Sequence, residues 1–187
     1  MLAVATTLLV VGCKATRAGY ESAPYKVARR DGKFEVRDYP ALTLVETSAA
    51  AEGSDGGFNR LFRFISGRNE ASQKIAMTTP VFMSGSATNA TMAFVLPAKM
   101  TAAQAPKPAD ASVKVRAIEA GRFAVYRFSG GRNPKKEAAA IERLKSRLEA
   151  ERPSSLSGPM FGYFDPPWTP AFLRRNEVMI RTQAGQP

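Results

Sequence analysis

The side chains that usually carry enzyme chemistry are scarce in this chain. It has no histidine, one cysteine, and 16 Asp plus Glu among 187 residues. A Ser-His-Asp triad, a histidine general base and histidine-ligated zinc or haem iron are therefore excluded. One cysteine makes neither an internal disulfide nor a metal cluster. There is no glycine-rich phosphate loop, and no Lys or Tyr stands at a spacing that nominates it as a base. Binding is expected rather than catalysis. Two stretches have the residue types to hold a ligand. In Lys74-Ile-Ala-Met-Thr-Thr-Pro-Val81, Ile75, Met77 and Thr79 share one strand face. Pro80, lacking an N–H, should bend or end that strand. Met77 beside a cleft could touch a flat apolar ligand or ligate iron; core filler is the competing reading. In Phe161-Gly-Tyr-Phe-Asp-Pro-Pro-Trp-Thr-Pro-Ala-Phe-Leu-Arg-Arg-Asn-Glu-Val178, prolines stiffen a loop carrying Tyr163, Phe164, Trp168 and Phe172. Such a loop beside Arg174 and Arg175 could close over a planar anion. Equally, it could be a hydrophobic clamp over a sheet edge, with an arginine bridging to Glu177 or Asp165.

The formal net charge is +11, from 27 Lys plus Arg, which favours acidic partners in general. The basic residues are spread out, with Arg29-Arg30, Lys135-Lys136 and Arg174-Arg175 the longest groupings. No zinc-finger spacing, RNP-type aromatic motif or basic helix goes with them, so nucleic acid is disfavoured. A hydrophobic content of 44% is enough for one good core.

Two half-chains with a common plan are expected to position these stretches. Tyr25 to Tyr39 reads as strand, turn at Gly32 and strand, with Phe34 and Val36 alternating with charge as in a half-exposed strand. Val113 to Phe128 repeats this around Gly121. Each pair leads to a helix. The first spans Gly57 to Ser66, with Phe58, Leu61, Phe62 and Ile65 on one stripe, Ser54 or Asp55 as cap and Gly67 as its end. The second starts at Asn133-Pro134, carries Ala138, Ile141, Leu144 and Leu148 on its stripe, and ends before Pro153. Strands at Met92 to Pro97 and Glu177 to Thr182 close the halves, and Thr101 to Ser112 is a surface loop. The fold class is α+β: two pseudo-duplicated strand/helix units closing antiparallel sheets into a partial barrel, with two helices lying on it.

The chain opens with an apolar run, Leu2 to Val11, of signal-peptide length and too short to span a bilayer. Val10-Val11-Gly12-Cys13 looks like a bacterial lipobox, so Cys13 is the expected lipidation site, although no Lys or Arg precedes the run. The expected organisation is a signal peptide over residues 1–12, a tether over 13–23, a binding domain over 24–183 and a tail over 184–187. This implies a lipid-anchored protein of the bacterial envelope, with Lys14 slightly favouring the outer membrane. The competing reading of the apolar run is a buried strand with an inert thiol.

The two ligand-holding stretches together resemble the hallmark segments of the SOUL/haem-binding protein family, in the order that Tyr25 to Tyr39, the Gly57 to Ser66 helix and Val113 to Phe128 also follow. The resemblance covers about Ala23 to Thr182. It implies a distorted antiparallel β-barrel with two helices, shared with certain bacterial effector-binding domains. It also implies haem or porphyrin as ligand, in a cleft between the first helix and the loop before the last strand. By matching position, Phe58, Phe62 and Arg63 would be the helix contacts and Phe172, Leu173 and Arg174 the loop contacts. Arg63 and Arg174 would pair with propionates, and Met77 joins the candidate set. Where animal members offer methionine on the helix, this chain offers Phe58 and Phe62. The axial histidine proposed for some members has no counterpart, so ligation would fall to Met, Tyr, Lys or water and be weak. A different amphipathic anionic ligand in the same cleft, or an envelope interaction module with no ligand, are the alternatives.

Overall fold

The computed structural model describes residues 19–49, 56–85, 89–151 and 154–183. The proposed signal peptide, Cys13, the caps Ser54 and Asp55, Pro153 and the tail 184–187 lie outside them. Eleven strands are described: β1 (Glu21–Ser22), β2 (Lys26–Asp31), β3 (Phe34–Tyr39), β4 (Leu42–Ser48), β5 (Thr78–Thr79), β6 (Val81–Ser84), β7 (Thr91–Val95), β8 (Lys114–Ile118), β9 (Gly121–Ser129), β10 (Met160–Tyr163) and β11 (Arg175–Thr182). The α-helices are α1 (Gly57–Ile65) and α2 (Pro134–Glu151), and a 3-10 turn spans Ala171–Leu173.

Nine strands form one antiparallel sheet in the order β2-β3-β9-β11-β10-β6-β7-β4-β8, while β1 and β5 make a short parallel pair. The expected α+β class with two helices is present among the described residues. The barrel is not. The end strands β2 and β8 do not pair with each other, so the sheet is open and curled. Both ends are guarded by charge: β2 carries Lys26, Arg29 and Arg30, with a register shift between Val27 and Arg29, and β8 carries Lys114 and Arg116. Charged, bulged edges resist joining another strand, including each other.

The internal repeat is real but is offset from the sequence reading. β4-α1-β6-β7 and β9-α2-β10-β11 are equivalent βαββ units, with sheet orders β4-β7-β6 and β9-β11-β10. They meet where β6 pairs β10. The strand preceding each unit, β3 or β8, crosses to pair with the first strand of the other unit, β9 or β4. Gly121 therefore opens β9 rather than turning a hairpin, and β3 rather than β2 is the partner of β8 in the repeat. Local alternation cannot reveal this, because strand pairing is a long-range choice.

The core has three parts. Under α2, Leu144 and Leu148 pack on Phe34, Ala124, Val178 and Ile180; under α1, Leu61, Phe64 and Ile65 pack on Val45, Phe94 and Leu96. The other sheet face curls on itself around Tyr39, Leu44, Phe82, Phe123, Val125 and Met179. Asn133 Oδ1 accepts from the amides of Lys135 and Lys136 at 3.0 and 3.2 Å, the cap expected of Asn-Pro at a helix start. Gly67 ends α1 at φ +107°, where an L side chain would be strained. At the other end of α1, a Cβ on Gly57 would lie 2.8 Å from the Ser48 carbonyl, so glycine lets the helix approach β4.

Two expectations fail inside the body. β3 is not half-exposed, because Glu35 and Arg37 are 0% exposed. Arg37 donates to both Glu177 carboxylate oxygens at 2.6 and 2.8 Å, to Glu35 at 2.6 Å and to Tyr39 at 3.2 Å. The Tyr25 ring lies 4.2 Å beneath the guanidinium carbon. A fully bonded charge set can be buried, and one with any partner removed cannot. The second concerns the end of the segment expected as tether, whose residues 13–18 lie outside the described residues. It enters the fold at Glu21–Ser22, buries Ala23, and bonds the Ala23 amide to the Thr79 carbonyl at 2.8 Å.

Candidate functional site

The α1 sequence has more apolar residues than its core face uses. Gly57, Leu61, Phe64 and Ile65 are buried, whereas Phe58 and Phe62, from the expected stripe, remain 44% and 48% exposed. Their rings stack at 6.1 Å with planes 11° apart, and Phe58 meets Phe94 edge-on at 5.1 Å. Facing them is the loop after β10, where Phe164 is buried and Trp168 is 72% exposed. Between lies a cavity of about 530 Å³ lined by Tyr20, Phe58, Phe62, Met77, Thr79, Val81, Tyr163 and the Phe164–Trp168 run. That volume is in the range of small-molecule sites, roughly 300–1,000 Å³.

The elements holding this cavity are short and interrupted. β5 stops at Thr79, and Pro80, after a cis peptide, separates it from β6 as its missing N–H requires. Met77 is half-buried just before β5 and packs against the α1 core as well as lining the cavity, so its two readings coexist. The loop wall is braced from behind. Arg174 donates to the carbonyls of Thr169, at 2.7 Å, and Pro167. Asp165 accepts from the Arg175 amide at 2.6 Å. The Arg175 guanidinium sits 4.0 Å over the Phe164 ring and donates to Glu177 and Tyr25. The loop is thus a clamp as well as a wall, tied to the buried charges around Arg37. Tyr163 donates to Glu137 of α2 at 2.9 Å; burial, then that bond, push its hydroxyl pKa far up.

The seven expected contacts do not form one site. Phe58, Phe62 and Met77 share the cavity. Arg63 lies on another side of α1, in a groove with Arg60, Arg68 and Asp110. The 100° step from Phe62 to Arg63 along a helix places them apart. Phe172, Leu173 and Arg174 line a third groove with Lys33, Arg127 and Arg175. The loop before the last strand does face α1, but through Phe164–Trp168 and not through residues 172–174. Tyr20 was missed because it preceded the expected domain start. Tyr163 and Trp168 were visible as loop aromatics, though not as cavity walls.

Among the described residues Asp165 is the single Asp, Glu, Lys or Arg in the lining, so none of them offers propionates a cation within the cavity itself. The lining fits the faces of a tetrapyrrole through stacked aromatics and Met77. Among the described residues of the lining Met77 is the only sulfur, Tyr163 is engaged with Glu137, and Tyr20 is the other phenol that could approach an iron. Among the described residues no group of three or more His, Cys, Asp or Glu could hold a metal ion. No described helix is long and apolar enough to cross a membrane.

No curated protein matches the chain. Solved structures share its fold at low identity. The C-terminal domain of EcmrR is 11% identical with TM-score 0.59, covering 86% of this chain and 99% of that one. A protein described as a hydrolase from Listeria innocua is 10% identical with TM-score 0.57, covering 83% and 94%. An uncharacterized conserved protein from the same organism is 11% identical with TM-score 0.58, covering 81% and 92%. These show the fold alone. The model of the family described as SOUL heme-binding protein matches residues 20–181, nearly the whole of the open sheet, both helices and the cavity, and the chain belongs to that family.

Proposed function

We propose that this protein binds a tetrapyrrole non-catalytically in the cavity between α1 and the Phe164–Trp168 loop, and carries it while anchored to the bacterial envelope through Cys13. One observation carries the site: the stacked Phe58 and Phe62 stand half-exposed opposite Trp168 across a largely apolar cavity. Large rings left out of the core at a concave surface are more informative than scattered exposed apolar residues. The family supplies the ligand class. Bound haem would bring a conjugated ring and an iron centre. The chain's own residues would grip the ring faces, exclude water with the proline-stiffened loop, and leave the propionates directed outward.

A second reading, a flat apolar ligand carrying less negative charge, is favoured by the lack of any Lys or Arg among the described residues of the lining. Hemin and metal-free porphyrin titrations of the full chain test both, read by Soret absorbance and by quenching of Trp168, the only tryptophan. Saturable one-to-one binding is expected for both compounds, with similar affinity because the ring rather than the iron is held. The Phe58→Ser/Phe62→Ser double variant should bind at least about tenfold more weakly, a loss of roughly 1.4 kcal/mol or more. Equal binding by the variant would remove this cavity as the site.

A further inference from the structure

The rim of the cavity is also a surface. Tyr20, Phe58, Phe62 and Trp168 gather around one cavity, and the last three are among the most exposed large apolar residues described. Single exposed rings are ordinary, whereas a group around one concavity marks an interaction surface. A cation flanks it: Arg132 lies 5.2 Å over the Tyr163 ring with its side chain 58% exposed. Tyr and Trp bordered by Arg suit the water–bilayer boundary, where one end of each ring is apolar and the other wet. The net charge of +11 complements anionic headgroups.

The chain reaches the body at this rim. Tyr20 lines the cavity, and the apolar run Leu2 to Val11 and Cys13 precede it in sequence. Cys13 is seven residues before Tyr20, so an anchor there would keep the rim within roughly 25 Å of its membrane. We infer that the rim docks on an anionic phospholipid bilayer, with Phe58, Phe62 and Trp168 at headgroup level and the cavity facing lipid. A flat apolar ligand would then pass between bilayer and cavity without crossing water. That exchange rests on the tetrapyrrole reading; the docking does not.

The test uses the full chain carrying Cys13→Ser, so that no acyl chain contributes, with mixed phosphatidylglycerol and phosphatidylcholine vesicles. Trp168 reports the rim alone, because it is the only tryptophan. Expected are a blue shift of its emission and quenching by brominated acyl chains, both diminished in high salt and with pure phosphatidylcholine. Vesicle association that leaves Trp168 unquenched would assign the contact to the apolar run or another face and overturn the inference. Absence of association would overturn it too. A concentration-dependent blue shift without vesicles, with sedimentation as a dimer, would make a second copy the occupant. Hemin titration without vesicles reads the cavity separately. Quenching by lipid without hemin binding would leave docking standing and remove the tetrapyrrole; the reverse would remove docking alone.

Discussion

In the unit of β9, α2, β10 and β11 the helix runs 18 residues, whereas in the unit of β4, α1, β6 and β7 it runs 9. The long helix covers its strands. Leu144 is fully buried against β9 and β11. Its outer side is tied to β2 by Arg147–Asp31 at 2.7 Å and Arg29–Glu151, with Arg147 bonding Glu151 at 2.6 Å. The short helix buries Leu61, Phe64 and Ile65, then leaves Phe58 and Phe62 facing a gap that the Phe164–Trp168 loop borders without filling. One plan thus yields a sealed half, whose remaining surface grooves are bordered largely by charged side chains such as Arg143 and Arg147, and a half with open apolar surface. Where two equivalent units differ in how much apolar surface they cover, the uncovered surface is the place to look for a ligand.

The largest effect should come from opening the sealed half. Leu144→Ala is expected to cost about 2–5 kcal/mol of stability, since its neighbours can only partly collapse into the void, while hemin affinity stays unchanged. Phe62→Ala should cost roughly 1 kcal/mol or less, because a half-exposed ring has only part of its burial to lose, while weakening hemin binding. Denaturant midpoints and hemin titrations on both variants check the contrast. A larger stability loss at Phe62 than at Leu144 would make α1 the structural helix and break the comparison.

The charge on the inner face divides the molecule in the same way. Glu35, Arg37, Arg175 and Glu177, of which Glu35, Arg37 and Glu177 are fully buried, belong to β3 and β11, beside the α2 unit. The buried inner positions of β4 and β7 are Leu42, Leu44, Ala93 and Val95, and the one charge there, Glu46, pairs at 3.1 Å with the half-exposed Arg116. Burial pushes the Glu35 carboxyl up, but its bond to Arg37 and the charges of Arg37, Arg30 and Arg127 hold it below its ordinary value of 4.5 on balance. A carboxyl depressed in the folded state adds stability above its unfolded pKa, and that stability is lost as pH falls through the folded value. Stability should therefore decline with acid below about pH 4.5. The decline should be shallower in Glu35→Gln and undiminished in the Phe58→Ser/Phe62→Ser variant. At the alkaline end, burial raises Tyr39 to about 12. A raised pKa contributes stability below the unfolded value, here near 10, that is lost as pH climbs through the folded one. Unfolding midpoints across both limits measure this, and an unchanged acid slope in Glu35→Gln would detach the pH response from this network.

Much of the site was legible because its signals are local. Helical spacing located α1, Asn133-Pro134 located the start of α2, and the aromatic-proline run located the cavity's second wall. What was not legible depends on partners distant in sequence. Glu35 and Arg37 alternate with Phe34 and Val36 as solvent-facing residues would; their burial follows from Glu177, 140 positions from Arg37. The exchange of β3 and β8 between units is equally non-local, and so is the burial of Ala23 beside Thr79 of β5. Matching positions by family likeness carried Arg63 and residues 172–174 into the ligand set. The direction each side chain takes from its own helix or turn placed them in separate grooves.

Arg63 therefore gives the smallest expected effect and the sharpest boundary for the open half. It lies in the groove of Arg60, Arg68 and Asp110, and its Nε donates to the Asn59 carbonyl at 3.4 Å. If the ring sits against Phe58 and Phe62 with its propionates directed outward, Arg63 is too far around α1 to pair with them. Arg63→Gln should then change hemin affinity by less than about twofold, under roughly 0.4 kcal/mol. The shift should stay the same for metal-free porphyrin and for its uncharged ester. A tenfold loss confined to the carboxylate forms would instead mean that propionates reach across the helix. The basic groove and the aromatic cavity would then be two halves of one site, with α1 as the bar between them.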